Sequence, residues 1–250
     1  MTSPCQENGG TTNHPMKGIK VKLTRTVLRS VLLNVFLGAA AFVVAQDTPP
    51  AENVQYKWAF VARGGEAGKR QVGVVTKDTS MATGDEFKLF VNCAKPAYVY
   101  VVHKSSRNEV TLLFPYDLGM FEKDFKLDKN YYIPKGREWF KLDKNTGIET
   151  FYILASSERL TDLEKNLQSF FNAPAEKKSD AAALVVNEIK DIKKRFRTFS
   201  TLAERPISIA GNVRGEQTRA IDPDRVDIAT LATDVSANNF FTKTITIDHK

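Results

Sequence analysis

Between residues 54 and 157 apolar side chains recur at every second position, in short runs rich in β-branched and aromatic residues and broken by Gly, Pro, Asn and Asp. A period of two sends alternate side chains to opposite faces of an extended chain, so this stretch buries its apolar set as strands of a sheet. Strands are expected over 56–61, 86–92, 97–103, 110–114, 139–142 and 149–155. Short strands at this spacing, with turn residues between them, make a β-sandwich the expected architecture.

The segments FKLFVN and AYVYVV are separated by Cys93, Ala94, Lys95 and Pro96, a connection of ordinary hairpin length. A turn centred on Lys95 places Phe87, Leu89, Val91, Val99 and Val101 on the core face. It also sets Phe90 opposite Tyr100 and Asn92 opposite Tyr98 on the other face. That second face is either covered by the protein's own loops or exposed as a contact surface. In the exposed case Phe90, Tyr98, Tyr100 and Phe114 would hold a protein partner of the cell envelope, because aromatic rings supply contact area at low entropic cost.

After residue 157 the period changes. TDLE at 161–164 reads as a capping box opening a helix to about residue 172, with Leu163, Leu167 and Phe170 on one side. Over 180–199, Val185, Ile189, Ile192, Phe196 and Phe199 form the apolar stripe of a second helix. Its other face holds Lys190, Lys193, Lys194, Arg195 and Arg197, a solvated face or a surface for an acidic partner or anionic lipid. Strand character returns at 207–213 and 240–248. The expected fold is mainly β: an antiparallel sandwich with two appended α-helices in the C-terminal half.

Ahead of the folded part, residues 31–45 read VLLNVFLGAAAFVVA. Lys17, Lys20, Lys22, Arg25 and Arg29 precede this run and the polar QDTPPAEN follows it. A basic n-region, a short apolar h-region and small residues at Val43 and Ala45 are the pattern of a secretory signal cut before Gln46. The run falls short of the roughly 20 residues of a spanning helix and is interrupted by Asn34. Met16 followed by KGIKVKLTR provides an ordinary n-region, which makes Met16 a candidate start. Cys5 lies upstream and no cysteine follows the run, so a lipid-bearing cysteine is not expected.

The expected organisation is therefore a signal peptide over 1–45, a polar tether over 46–53 and a sandwich core over 54–163. A helical insertion and returning strands of the same domain occupy 164–250. The expected address is periplasmic or secreted, with the membrane touched only through the signal segment before cleavage. Of the 36 Lys/Arg and 29 Asp/Glu, five and one respectively lie in 1–45, so the whole-chain net charge of +7 falls to +3 without that segment. No basic footprint remains for nucleic acid. Cys93 is then the lone thiol, which excludes an internal disulfide.

No catalytic, metal or cofactor site emerges from the remaining motifs. RGGEAGKR at 63–70 ends like a phosphate loop but has Arg63 where glycine is needed and Arg70 where a Ser or Thr is needed. Cys93 and His103 suggest a nucleophilic pair, but the hairpin register holds them roughly 20 Å apart, and Cys93 reads as a half-buried turn residue. His249 reads as a surface residue. Zinc lacks N and S ligands. Asp222, Asp224 and Asp227 offer carboxylates for calcium or, more simply, an Asp-Pro turn and a cap. Glu138 and Glu149 flank a turn and read as solvated strand-end charges rather than a glycosidase pair.

The motifs Trp58-Ala-Phe60, Gly84-Asp85, Tyr98-Val-Tyr100, Leu113-Phe-Pro115, Ile133-Pro134, Gly147-Ile-Glu149 and Ala155-Ser156 resemble, in order and spacing, the domain of unknown function 4384 family over roughly 54–163. The resemblance implies an immunoglobulin-like sandwich in exported or envelope-associated bacterial proteins and carries over no active site. The expected function is a non-catalytic, exported protein-interaction or structural module. The alternative is a small-ligand or glycan-binding module in which Trp139 or Tyr98 stacks on a sugar ring. An exported hydrolase ranks below both and requires a pocket that gathers Glu149 or Cys93 with His103.

Overall fold

The computed structural model describes residues 54–65, 71–196, 204–205 and 227–250, all within the compact unit Thr48–Lys250. The expected signal and tether segments, Met16, Arg70, Arg197, Phe199, Asp222, Asp224 and the expected strand at 207–213 lie outside the described residues.

Among the described residues, twelve strands and three α-helices follow in chain order. These are β1 (Val54–Gly64), β2 (Gln71–Val74), β3 (Thr79–Met81), β4 (Glu86–Cys93), β5 (Tyr98–Lys104), β6 (Val110–Phe114), α1 (Met120–Lys123), β7 (Tyr131–Ile133), β8 (Phe140–Lys141) and β9 (Gly147–Ser156). Then come α2 (Thr161–Asn172), α3 (Lys178–Arg195), β10 (Glu204–Arg205), a 3-10 turn (Ile228–Leu231), β11 (Thr233–Ala237) and β12 (Phe240–His249).

Two sheets face each other. In the first, the order is β10-β11-β1-β4-β7, with β2 continuing beside β1 and β8 beside β4. In the second it is β3-β12-β9-β5-β6, antiparallel except where β3 runs parallel to β12. The sandwich expected from the alternation is thus present, and its interior holds Phe60, Phe87, Leu89 and Val91 from the first sheet against Val99, Val101, Phe151, Ile153 and Ile245 from the second. Phe60, Phe87 and Phe151 meet with ring centroids 4.9 to 5.4 Å apart, the spacing of favourable tilted and edge contacts.

The expected hairpin does not form. Residues 94–97 carry the chain from one sheet to the other, so Phe90 lies opposite Ala59 and Tyr132, and Tyr100 opposite Leu154. The core face was assigned correctly, because alternation fixes which side of a strand is apolar but not which strand it pairs with. β4 and β5 are buried on both faces. Strands of this kind occupy sheet interiors: β4 lies between β1 on one side and β7 and β8 on the other, and β5 lies between β9 and the next strand, β6.

The outer faces are covered as well. Tyr100, Val102, Leu154 and Phe240 lie under Leu163 and Leu167 of α2 and Val185, Ile189 and Ile192 of α3. Ala59, Val61 and Phe90 lie under Ile228 and Ala232. The helix spacing of three and four therefore places its apolar stripe as expected, and Phe196 stacks on Phe240 at 4.5 Å.

The capping box is not realised. Leu160 is the N-cap residue of α2 without a side-chain bond, and Glu164 turns away from it to accept Tyr100 Oη at 2.6 Å and the Arg159 guanidinium at 2.7 Å. Tyr100 Oη in turn accepts the Leu160 amide at 3.2 Å, so the helix start is held by the sheet beneath it. Tyr100→Phe should lower the unfolding free energy in urea by about 1–3 kcal/mol, the cost of leaving the buried amide unmet.

Candidate functional site

At the end of the sandwich where β4 and β9 begin and β5 and β12 finish, the inward stripe of the second sheet turns polar. His103 follows Val99 and Val101 at inward parity on β5, Glu149 precedes Phe151 and Ile153 on β9, and His249 follows Ile245 and Ile247 on β12. These side chains share a cavity of about 290 Å³ with Phe87, Leu113 and Phe140.

His103 Nε2 lies 2.6 Å from Glu149 Oε2, and the imidazole stacks on Phe151 at 4.6 Å between centroids. Glu149 Oε1 accepts the Ser106 amide at 3.2 Å. Only 6 % of Glu149 and 2 % of His249 are exposed, and His249 Nε2 pairs with Thr83 Oγ1 at 3.0 Å. Both residues were expected at the surface. They are buried because each sits at an inward position one strand-end short of solvent.

Burial holds the His103 pKa below its ordinary 6.5, outweighing the opposing pull of Glu149 and Glu109. The neutral ring donates Nε2–H to the carboxylate and leaves Nδ1 as an acceptor.

Gly147 sits two residues before Glu149 with φ +128°, and a Cβ there would come within 2.8 Å of Ser106 Cβ. The glycine and glutamate of the Gly147-Ile-Glu149 motif therefore act together: one lets the 105–106 turn approach and the other accepts its amide.

The residues expected to bind a partner are not brought together on one face. Phe90, Tyr100 and Phe114 are buried with 2 %, 0 % and 0 % exposure, in three different clusters, and Tyr98 is half-buried against Phe121 at 5.1 Å. Trp139, the other stacking candidate, is covered by the Arg63 guanidinium at 4.4 Å. Arg63 also pairs with Glu86, which engages the first residue of the 63–70 motif in the fold.

Cys93 is the last residue of β4 and fully buried rather than half-buried in a turn. It lies six residues from the cavity residue Phe87, or roughly 20 Å along the strand. Burial pushes its thiol up to about 12. Asp227 caps the 3-10 turn through the Ala229 amide. Glu138 is exposed and does not join Glu149 in the cavity.

Sequence reasoning missed two cations that organise the fold. Lys88, 3 % exposed, donates to the carbonyls of Gly136 and Glu138 at 2.6 Å each, and its desolvation lowers its pKa. Arg159 joins Glu122, Glu164 and the Leu118 carbonyl. Lys88 stood at the outward parity of β4, a face read as either covered by loops or exposed, and a lysine there gave no sign of burial.

Residues 80–159 match the family described as Domain of unknown function (DUF4384). The match begins at β3 and ends just past β9, so it is shorter than the resemblance read from the motifs and leaves Trp58-Ala-Phe60 outside. It supplies all of the cavity wall except His249. No curated protein and no solved structure matches the chain.

Because the unfolded chain binds the His103 proton more readily, stability should be full above about pH 6.5 and fall as the pH drops toward the folded-state pKa. His103→Gln should flatten that slope in urea melts taken from pH 8 to 5. Cys93 should stay unreactive toward a thiol reagent in the native protein and react on unfolding.

Proposed function

We propose that the chain is an exported, non-catalytic β-sandwich of the cell envelope, periplasmic or secreted, that acts as a protein-interaction module. The address rests on the basic, apolar and small-residue pattern of residues 17–45. The observation that carries the interaction reading is the mouth between the sheets, where the 105–109 and 141–146 connections border the cavity holding His103 and Glu149. Loops held at the end of a rigid sandwich are its adaptable recognition surface. This replaces the aromatic face as the proposed contact region.

The same cavity supports a small-ligand or glycan-binding reading, since polar groups of both kinds surround the half-buried Phe140 ring. It also meets the condition set for a hydrolase by gathering Glu149 with His103. Among the described residues, however, the hydrogen bond of the His103 ring is to Glu149, with no hydroxyl or thiol aligned on it.

A photo-crosslinking side chain at Arg107, on the mouth, should trap a discrete adduct in the native envelope, whereas one at the exposed Leu184 of α3 should not. Equal adducts at both positions, or none at either, overturn the assignment. The exported chain should begin at Gln46 on N-terminal sequencing.

A further inference from the structure

Among the described residues, Glu149 has two partners, the His103 imidazole and the Ser106 amide, and no Lys or Arg within ion-pair distance. A buried carboxylate whose hydrogen-bond donors include no Lys or Arg lacks a balancing cation, an arrangement that a positively charged ligand would improve. The charged groups around the cavity do not cancel it. The turn after β5 contributes Arg107 and Glu109, which pair with each other at 3.4 Å, and the segment after β8 contributes Asp143 beside Lys141 of that strand. With Glu149, three carboxylates face two Lys or Arg side chains, and burial disfavours a charge on the His103 ring.

We propose that this cavity admits an alkylammonium group, either a free amine or the lysine side chain of a bound protein, which lies against Glu149 and supplies the missing positive charge. The volume of about 290 Å³ accommodates a four-carbon chain and its ammonium group. Phe87 and Phe140 line the cavity and supply apolar surface for the methylenes. The second lone pairs of Glu149 accept its N–H groups. A bare divalent ion is a poorer fit, because no group of three ligating side chains exists among the described residues.

The inference rests on the mouth being the binding end, but not on the partner being a protein. A proton on His103 would provide the same positive charge from within, so ligand and proton compete. By linkage each weakens the other equally.

The test uses calorimetry together with NMR of the His103 ring, on the chain from Gln46 onward. The probes are butylammonium, Nα-acetyl-lysine methylamide and, as the uncharged isostere, 1-butanol. An amine remains protonated throughout pH 5–8, its pKa being about 10.4. Either amine should bind saturably at pH 8 and weaken at least several-fold toward pH 5, while lowering the pH at which His103 protonates. 1-Butanol should not bind. Preference for the acetyl-lysine probe identifies a side-chain site, and preference for butylammonium a free-amine site.

Glu149→Gln should abolish binding. His103→Gln should retain it and remove most of its pH dependence, which separates His103 from His249. Binding of 1-butanol as strong as that of the amines, amine binding independent of pH in the wild-type chain, or no saturable binding of either amine overturns the proposal. Should Glu149→Gln fail to fold, the 1-butanol and His103→Gln arms still decide. Failure of crosslinking at Arg107 alongside amine binding would remove the protein-partner reading and leave this one standing.

Discussion

Three phenylalanine rings hold the two layers together. Phe60 and Phe87 from β1 and β4 meet Phe151 from β9, and each of the three is buried. Their burial contributes on the order of 2–3 kcal/mol per ring. Phe151 then becomes the platform for His103, so the contact that joins the sheets also sets the orientation of the imidazole at their mouth. The polar end is consequently as rigid as the core it adjoins, because its floor is part of that core.

Much of the fold was legible in the period of the apolar residues. Alternation identified the inward set on β4 and β5, and the three-and-four spacing identified the buried stripes of α2 and α3. Pairing was not legible. A short connection such as 94–97 has the length of a hairpin and also the length needed to step between layers, and a strand apolar on both faces does not name its neighbours. The same ambiguity hid the site. Glu149 and His103 each looked like an ordinary strand-end residue, and only the pairing of β5 with β9 brings them within 2.6 Å. The available signal was parity: ionisable groups continuing an inward apolar stripe on two strands.

The chain handles its buried and half-buried charges in two ways. Lys88 and Arg159 are surrounded by carbonyl and carboxylate acceptors, which makes them internal fasteners between segments distant in sequence. Glu149 is different, because its donors are a neutral ring and one amide. The first arrangement is closed and serves the fold. The second lies on the wall of the cavity at the polar end of the sandwich, with no Lys or Arg bonded to the carboxylate among the described residues.

The step of residues 94–97 from one layer to the other also governs the order in which structure can accumulate. Neither central strand can be completed from sequence neighbours: β1 needs β11, and β9 needs β12, which lies roughly ninety residues further along. Non-local pairing of this kind slows folding, since loop entropy is spent before the contacts that reward it form. A ribosome that has delivered the chain only as far as α3 would therefore hold a sheet with one flank of β9 still open. Among the described strands β12 arrives last, and it supplies the pairings to both β9 and β3.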